Sequence, residues 1–212
     1  FSSRLWEKIN PFYHEIAAHP FNQELAKGTL SQERFGFYLT QDIAYLRVLS
    51  QVFSLIAQRA LSPLMVEQFN HFSNHAQLTA NNLENLLSTF EKKTNVISPT
   101  PACLDYSEHL MNRATIGSLE ESIAAVLPCF WIYRELCSQM KHIAELSNPY
   151  LNWITMNASA EQSIMTDQVI SFIEEVSEKC SEDTFHRMED VCVRSSHLEW
   201  RFWDDAYKML VS

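Results

Sequence analysis

The chain has 212 residues, a formal charge of −10, 46% apolar and 12% aromatic residues. That length suits one domain, expected to bury roughly 70% of its unfolded surface, and the acidic balance argues against nucleic acid as a partner, which a basic patch would attract. Only Gly28, Gly36 and Gly117 are glycines, too few for strands joined by tight turns, so composition points to an all-α protein.

Helices are expected near 3–18 and 20–27. Thr29-Leu30-Ser31 then opens a helix over 31–60. Its inner face is Phe35, Tyr38, Leu39, Tyr45, Leu46 and Leu49, and Asp42 sits among them. Aspartate is a poor mid-helix residue because its side chain competes for backbone hydrogen bonds. Asp42 therefore reads as a buried functional acid, or as an internal cap or a buried partner of Lys or Arg. Ser62-Pro63 is an N-cap with proline at the first helical position, starting a helix over 63–91. His71 and His75 stand i, i+4 with Glu67 one turn before, a spacing that could hold a metal. The stretch Gln68–Glu84 is polar on most sides, which puts both histidines on a solvated face.

Thr100-Pro101 repeats the start signal for a helix over 101–115, and Ser118 with Glu121 forms a capping-box pattern ahead of 119–144. Within that helix, Ile123–Tyr133 is 11 residues of unbroken apolar sequence, short of the ~20 that a membrane span needs. A segment apolar all round is expected at the centre of the fold. Pro128 cannot donate to the carbonyl of Ala124 and is expected to kink or locally open the helix. Cys129 follows directly, with Tyr133 one turn on. Read alone, Cys129 suits inert core packing better than a nucleophile. No basic-then-apolar leader opens the sequence, and its start at Phe1 suggests that residues precede it.

Further helices are expected over 148–156, over 160–179 from Ser159 and Gln162, and over 182–209 from Ser181. The last has an inner face at Phe185, Met188, Cys192, Ser195, Phe202 and Ala206. Glu199 falls on that face, between Ser195-Ser196 and Phe202-Trp203. Burial there would desolvate its carboxylate and raise its pKa; the alternative is a glutamate at the stripe edge bonded to Arg194 or Arg201. No linker, repeat or low-complexity tract divides the chain, so residues 1–212 read as one domain. The five cysteines, at 103, 129, 137, 180 and 192, are odd in number and lack C-x-x-C spacing. They form neither a disulfide framework nor a zinc site and suit a reducing cytoplasm.

These features fall into an ordered set. His19-Pro20-Phe21, Leu25, Gly28, Leu30, Phe35, Tyr38, Gln41-Asp42 and Tyr45-Leu46 resemble the opening motif of the TenA (thiaminase II) family. Leu127-Pro128-Cys129-Phe130-Trp131-Ile132-Tyr133-Arg134-Glu135 resembles its central cysteine helix. Trp153-Ile154 matches a further landmark, and the run from Ser195 to Tyr207 resembles the C-terminal signature. The resemblance implies a haem-oxygenase-like helical bundle without haem or other cofactor, assembled as a homotetramer. It also implies hydrolysis at the carbon joining a 2-methyl-4-aminopyrimidine to its leaving group, thiazolium in thiamin or an amine in aminopyrimidine, with release of hydroxymethylpyrimidine.

By position, Cys129 matches the family's nucleophile, Glu199 the acid/base at a ring nitrogen, and Asp42 the residue that binds the exocyclic amine. Tyr45, Tyr106 and Tyr133 match aromatic positions that line the pocket or bond the cysteine region, with Phe202 contributing. One position departs: where many members carry tyrosine shortly after Trp-Ile, this chain has Asn157, which trades a ring and a hydroxyl for an amide. Other readings are a metal-dependent oxygenase on the same fold, which needs inward carboxylates and histidines where Cys129 and tyrosines stand, and a non-catalytic pyrimidine-binding or regulatory protein. The acidic charge speaks against direct DNA contact.

Overall fold

Six helices start at a hydroxyl that accepts a backbone N–H three residues ahead. Ser31 accepts from Arg34, Ser62 from Met65, Thr100 from Cys103, Ser118 from Glu121 and Ser181 from Thr184, each at 3.2 Å, and Ser159 from Gln162 at 3.3 Å. Each removes one of the unsatisfied amides of a helix start, an effect of about 1 kcal/mol. All six positions are the start signals read from the sequence.

The computed structural model describes residues 1–88 and 98–210. Their regular structure is helical: α1 (Ser2–Ala18), α2 (Pro20–Lys27), α3 (Gln32–Arg59), α4 (Pro63–Leu87), α5 (Pro101–Ile116), α6 (Leu119–Ile143), α7 (Leu151–Asn157), α8 (Ala160–Ser177) and α9 (Glu182–Lys208). No helix among the described residues is long and apolar enough to cross a membrane. The helix expected over 63–91 is described to Leu87; its last expected residues, 89–91, lie outside the described residues.

The chain groups into two compact units. The first comprises Phe1–Leu30 and Ile123–Trp200. Here α1 lies against α2 and α8, burying Leu5, Ile9 and Ile16 at helical spacing. The C-terminus of α2 turns on Gly28, whose φ of 73° suits glycine; a Cβ there would meet the Pro149 ring at 3.0 Å. In α6, residues Ile123–Leu127 have no exposed surface and Pro128 is buried. Beyond it Cys129, Phe130, Trp131 and Tyr133 are only half-buried, so the apolar run is a core segment in its first half alone. Apolar composition says what can be buried, not what is. The helix passes through Pro128 without ending.

The second unit comprises Ser31–Ser122 and Arg201–Ser212. There α3 packs against α4 and α5. Phe53, Phe69 and Phe72 form a triangle of rings with centroids 5.4–6.2 Å apart, and Ser73 bonds both Ser50 and Ser54, at 3.1 and 2.9 Å. The C-terminus of α5 is held by Arg59, which donates to the carbonyls of Ala114 and Gly117 at 2.8 and 2.7 Å.

One boundary differs by more than a fringe. The helix expected from 148 begins at Leu151, because Asn148 is committed elsewhere. Its amide donates to the carbonyls of Leu25 and Ala26, at 3.0 and 2.9 Å, closing the end of α2, while its oxygen accepts the Tyr150 N–H at 2.8 Å. Asn148→Ala removes all three bonds from a buried site and is expected to lower stability by about 2 kcal/mol. A urea melt should show a lower midpoint with an unchanged slope; an unshifted midpoint would contradict this assignment.

Candidate active site

The residues singled out from the sequence divide between the two units. Cys129, Tyr133, Asn157 and Glu199 belong to the first; Asp42, Tyr45, Tyr106 and Phe202 belong to the second.

In the first unit the half-buried Cys129 thiol donates to the carbonyl of Val126 at 2.9 Å. That carbonyl lies within a turn of the Ala124 carbonyl, which Pro128 cannot serve because proline has no N–H. The bond sets the direction of the sulfur. One turn on, the Tyr133 ring meets Trp153 edge-on at 6.1 Å. Asn157 is 7% exposed and donates to the Trp153 carbonyl at 2.9 Å, so Tyr133, Trp153 and Asn157 form one cluster.

Asn157 also lines a cleft of about 320 Å³ with Arg134, Glu135, Ser138, Ser159 and Ser163. Arg134 is held there by Glu135 at 3.0 Å and Asp167 at 2.7 Å. On α6, Arg134 and Ser138 point roughly 140–180° away from Cys129, so this cleft opens across the helix from the thiol.

Glu199 is 5% exposed, as its place on the inner face of α9 implies, and Ser195 and Ser196 one turn before it are fully buried. Ser196 turns its hydroxyl onto the Cys192 carbonyl at 3.0 Å. The Cys192 thiol is pushed above its usual range by burial first, then by the charges of Glu189 and Glu199. Of the arginines weighed as partners for Glu199, Arg194 is exposed, and Arg201 donates to Asp105 at 2.6 Å. A second buried acid of α9, Glu189, is bound by Arg4.

In the second unit, burial raises the Asp42 carboxyl to about 7, against the opposing effect of a hydrogen bond from Tyr38, one turn earlier on α3. Around it stands an aromatic group. Tyr45 tilts against Tyr106 with centroids 5.0 Å apart and meets Phe202 edge-on at 5.7 Å. Tyr38 stacks on Trp203 at 4.9 Å. Such flat, half-polar surfaces suit a heteroaromatic ligand. His71 is exposed and His75 half-buried, and no group of three or more His, Cys, Asp or Glu among the described residues could hold a metal.

Two buried polar residues that sequence patterning passed over stand beside this group. Gln41 is 1% and Asp205 6% exposed. Gln41 directly precedes Asp42, and Asp205 lies on the Phe202–Ala206 face of α9, so their positions were visible although their partners were not.

The model of the TENA/THI-4/PQQC family matches residues 6–209. The chain belongs to that family. Over 216 residues it is 31% identical to an aminopyrimidine aminohydrolase of Halalkalibacterium halodurans, covering 98% of this chain and 95% of that protein. The TenA homologue of P. horikoshii OT3 superposes with a TM-score of 0.85 at 25% identity, over 98% of each chain. A domain of unknown function with a heme oxygenase-like fold from Shewanella denitrificans gives a TM-score of 0.77 at 14% identity, over 99% of this chain and 93% of that one. The TENA/THI-4/PQQC chain is thus all-α with a haem-oxygenase-like fold.

Two measurements follow from the site's electrostatics and exposure. With Asp42 raised from 3.8 to about 7 in the folded state, this group's contribution to stability is fullest below about pH 4 and declines as pH rises through 7, because the unfolded chain releases that proton first. The melting temperature of wild type relative to Asp42→Asn should fall between pH 4 and pH 8; a constant offset would contradict the burial of the carboxyl. In brief alkylation of the folded protein read by mass spectrometry, Cys129 and Cys180, both partly exposed, should label before the buried Cys103, Cys137 and Cys192. Equal labelling of all five would contradict it.

Proposed function

We propose that this chain is a thiaminase II-type hydrolase, an aminopyrimidine aminohydrolase that releases hydroxymethylpyrimidine for thiamin salvage. The observation that carries it is the half-buried Cys129 thiol on α6, in a chain similar along almost its whole length to an aminopyrimidine aminohydrolase.

Cys129 acts as the nucleophile. Its thiolate forms a bond to a carbon of the pyrimidine ring while Glu199 gives a proton to a ring nitrogen. The ring electrons then expel the leaving group from the bridging carbon; it takes the bonding pair and, as an amine, the proton that the thiol gave up. Water adds at that carbon and loses a proton, the carbon–sulfur bond breaks, the ring nitrogen returns its proton to Glu199, and the thiolate takes the proton that water lost. Asp42 binds the exocyclic amine, for which an ionised carboxylate is the acceptor. Tyr45, Tyr106 and Tyr133 line the substrate, with Phe202 behind Tyr45.

Asn157 occupies the position where many members carry a tyrosine, and its bond to the Trp153 carbonyl sets it beside the ring that Tyr133 meets. It shapes the choice of leaving group rather than the chemistry. We read residues 1–212 as one TenA-like domain, supported by a family match that runs from 6 to 209. A homotetramer and a cytoplasmic setting complete the reading, the latter supported by five scattered cysteines without C-x-x-C spacing.

The test is turnover of thiamin and of aminomethylpyrimidine by purified protein. Wild type is expected to release hydroxymethylpyrimidine from at least one, and Cys129→Ala to lose over ~100-fold, the scale of a lost nucleophile. Equal turnover by both proteins would end the covalent mechanism. Asn157→Tyr is expected to change the ratio of kcat/KM between the two substrates, while Glu199→Gln lowers kcat on both.

A further inference from the structure

The first turn of α5, one turn before Tyr106, is tied down by two buried side chains to which the chemistry above gives no part. Asp205, near the end of α9, accepts the N–H of Ala102 through Oδ2 at 2.9 Å. Gln41, on α3, accepts the N–H of Thr100 through Oε1 at 2.7 Å and donates through Nε2 to the Ser98 carbonyl at 3.4 Å. The backbone carbonyl of Gln41 receives the Cys103 thiol at 3.6 Å. Thr100 caps the same turn through the Cys103 N–H, and Arg201 holds Asp105 one step before Tyr106.

The first amides of a helix find no partner within it, and Pro101 has none to offer. Here the amides of residues 100, 102 and 103 are taken by three different side chains, two of them from other helices. A carboxylate is also the charge that a helix start favours.

Both anchors sit on the segments that carry the facing rings. Gln41 lies one turn before Tyr45 and next to Asp42; Asp205 lies three residues after Phe202. Between them the Tyr106 ring rests 5.0 Å from Tyr45, which in turn meets Phe202. A small rotation of the first turn of α5 would carry Tyr106 off that stack with no change at Cys129 or Glu199.

We propose that Asp205 and Gln41 are positioning residues that fix the Tyr106 ring against Tyr45 through the first turn of α5, and so set how firmly the flat substrate ring is held. This rests on the aminohydrolase reading. Weaker holding acts alike on the bound substrate and the transition state, so it raises KM and spares kcat.

The test uses the full chain as wild type, Asp205→Ala, Asp205→Asn, Gln41→Met, Tyr106→Leu and the double variant Asp205→Ala/Tyr106→Leu, assayed on aminomethylpyrimidine. Asp205→Ala is expected to raise KM roughly tenfold, the scale of one lost buried hydrogen bond, with kcat within about threefold of wild type. Asp205→Asn keeps an oxygen for the Ala102 amide and should restore most of the loss. Added to Tyr106→Leu, Asp205→Ala should have no further effect, because the ring it positions is gone. An unchanged KM, a fall in kcat at constant KM, additive losses in the double variant, or Asn no better than Ala each overturn the proposal. If Asp205→Ala does not fold, Gln41→Met puts the same question at the Thr100 amide with the same outcomes expected. If wild type turns over no pyrimidine, the function proposed above fails. The positioning claim is then decided by the near-ultraviolet tyrosine circular dichroism. Asp205→Ala must lose the band that Tyr106→Leu loses and Asp205→Asn must keep it; an unaltered band in Asp205→Ala overturns the claim.

Discussion

In a protein built of helices, the backbone satisfies its own hydrogen bonds everywhere except in the first and last turns. A polar side chain buried among helices therefore has few places to go, and leaving it without a partner costs about 1–3 kcal/mol. This chain meets that constraint repeatedly in one way. Asn148 ends on the last carbonyls of α2, Arg59 on those of α5, and Gln41 and Asp205 on amides at the start of α5. Tyr150 does the same at a loop, donating to the Leu30 carbonyl at 2.5 Å. Helix ends are where the interior can accept polarity, and the acids and rings of interest stand within a turn or two of such anchors.

That constraint also explains which features could be read from the sequence. Helix starts were legible because their caps are local: Ser or Thr at 31, 62, 100, 118, 159 and 181 meets an amide three residues away. The burial of Glu199 was legible from period alone, since its neighbours at steps of three and four are apolar or small. The partners of Gln41 and Asp205 were not, because they lie 59 and 103 residues away. A helical pattern marks which side chains turn inward but not which helix end will be waiting. The same gap misplaced the start of α7, where Asn148 is claimed by α2, 122 and 123 residues earlier.

Cys129 shows the limit from the other direction. Its surroundings in sequence, Leu127 to Tyr133, are more apolar than those of Cys103 or Cys137, a pattern that alone suits a sealed core cysteine better than theirs does. What separates them is three-dimensional: Cys129 keeps exposed surface where the other two are sealed, and in Cys103 burial, with the nearby charges of Asp42 and Asp205, drives the thiol up to about 12. Ordered family motifs, not local pattern, single out Cys129 as the proposed nucleophile. Asn157 shows how far motifs reach. They match residue types at aligned positions, and where Asn157 departs from the family's tyrosine no pattern in the chain states what the change admits.

The Asp205 anchor has an evolutionary consequence. Its partner is a backbone amide, so the bond does not depend on which side chain residue 102 carries; any residue but proline supplies the same N–H. Residue 205 must stay an acceptor, while residue 102, a sealed core alanine, is limited by its volume and not by the bond. A fold pinned by such one-sided bonds can change much of its sequence without paired substitutions, which suits an architecture shared with solved structures at 25% and 14% identity. In a library of random variants, the same asymmetry would appear as intolerance of any non-acceptor at 205, whereas losses at 102 would follow side-chain volume.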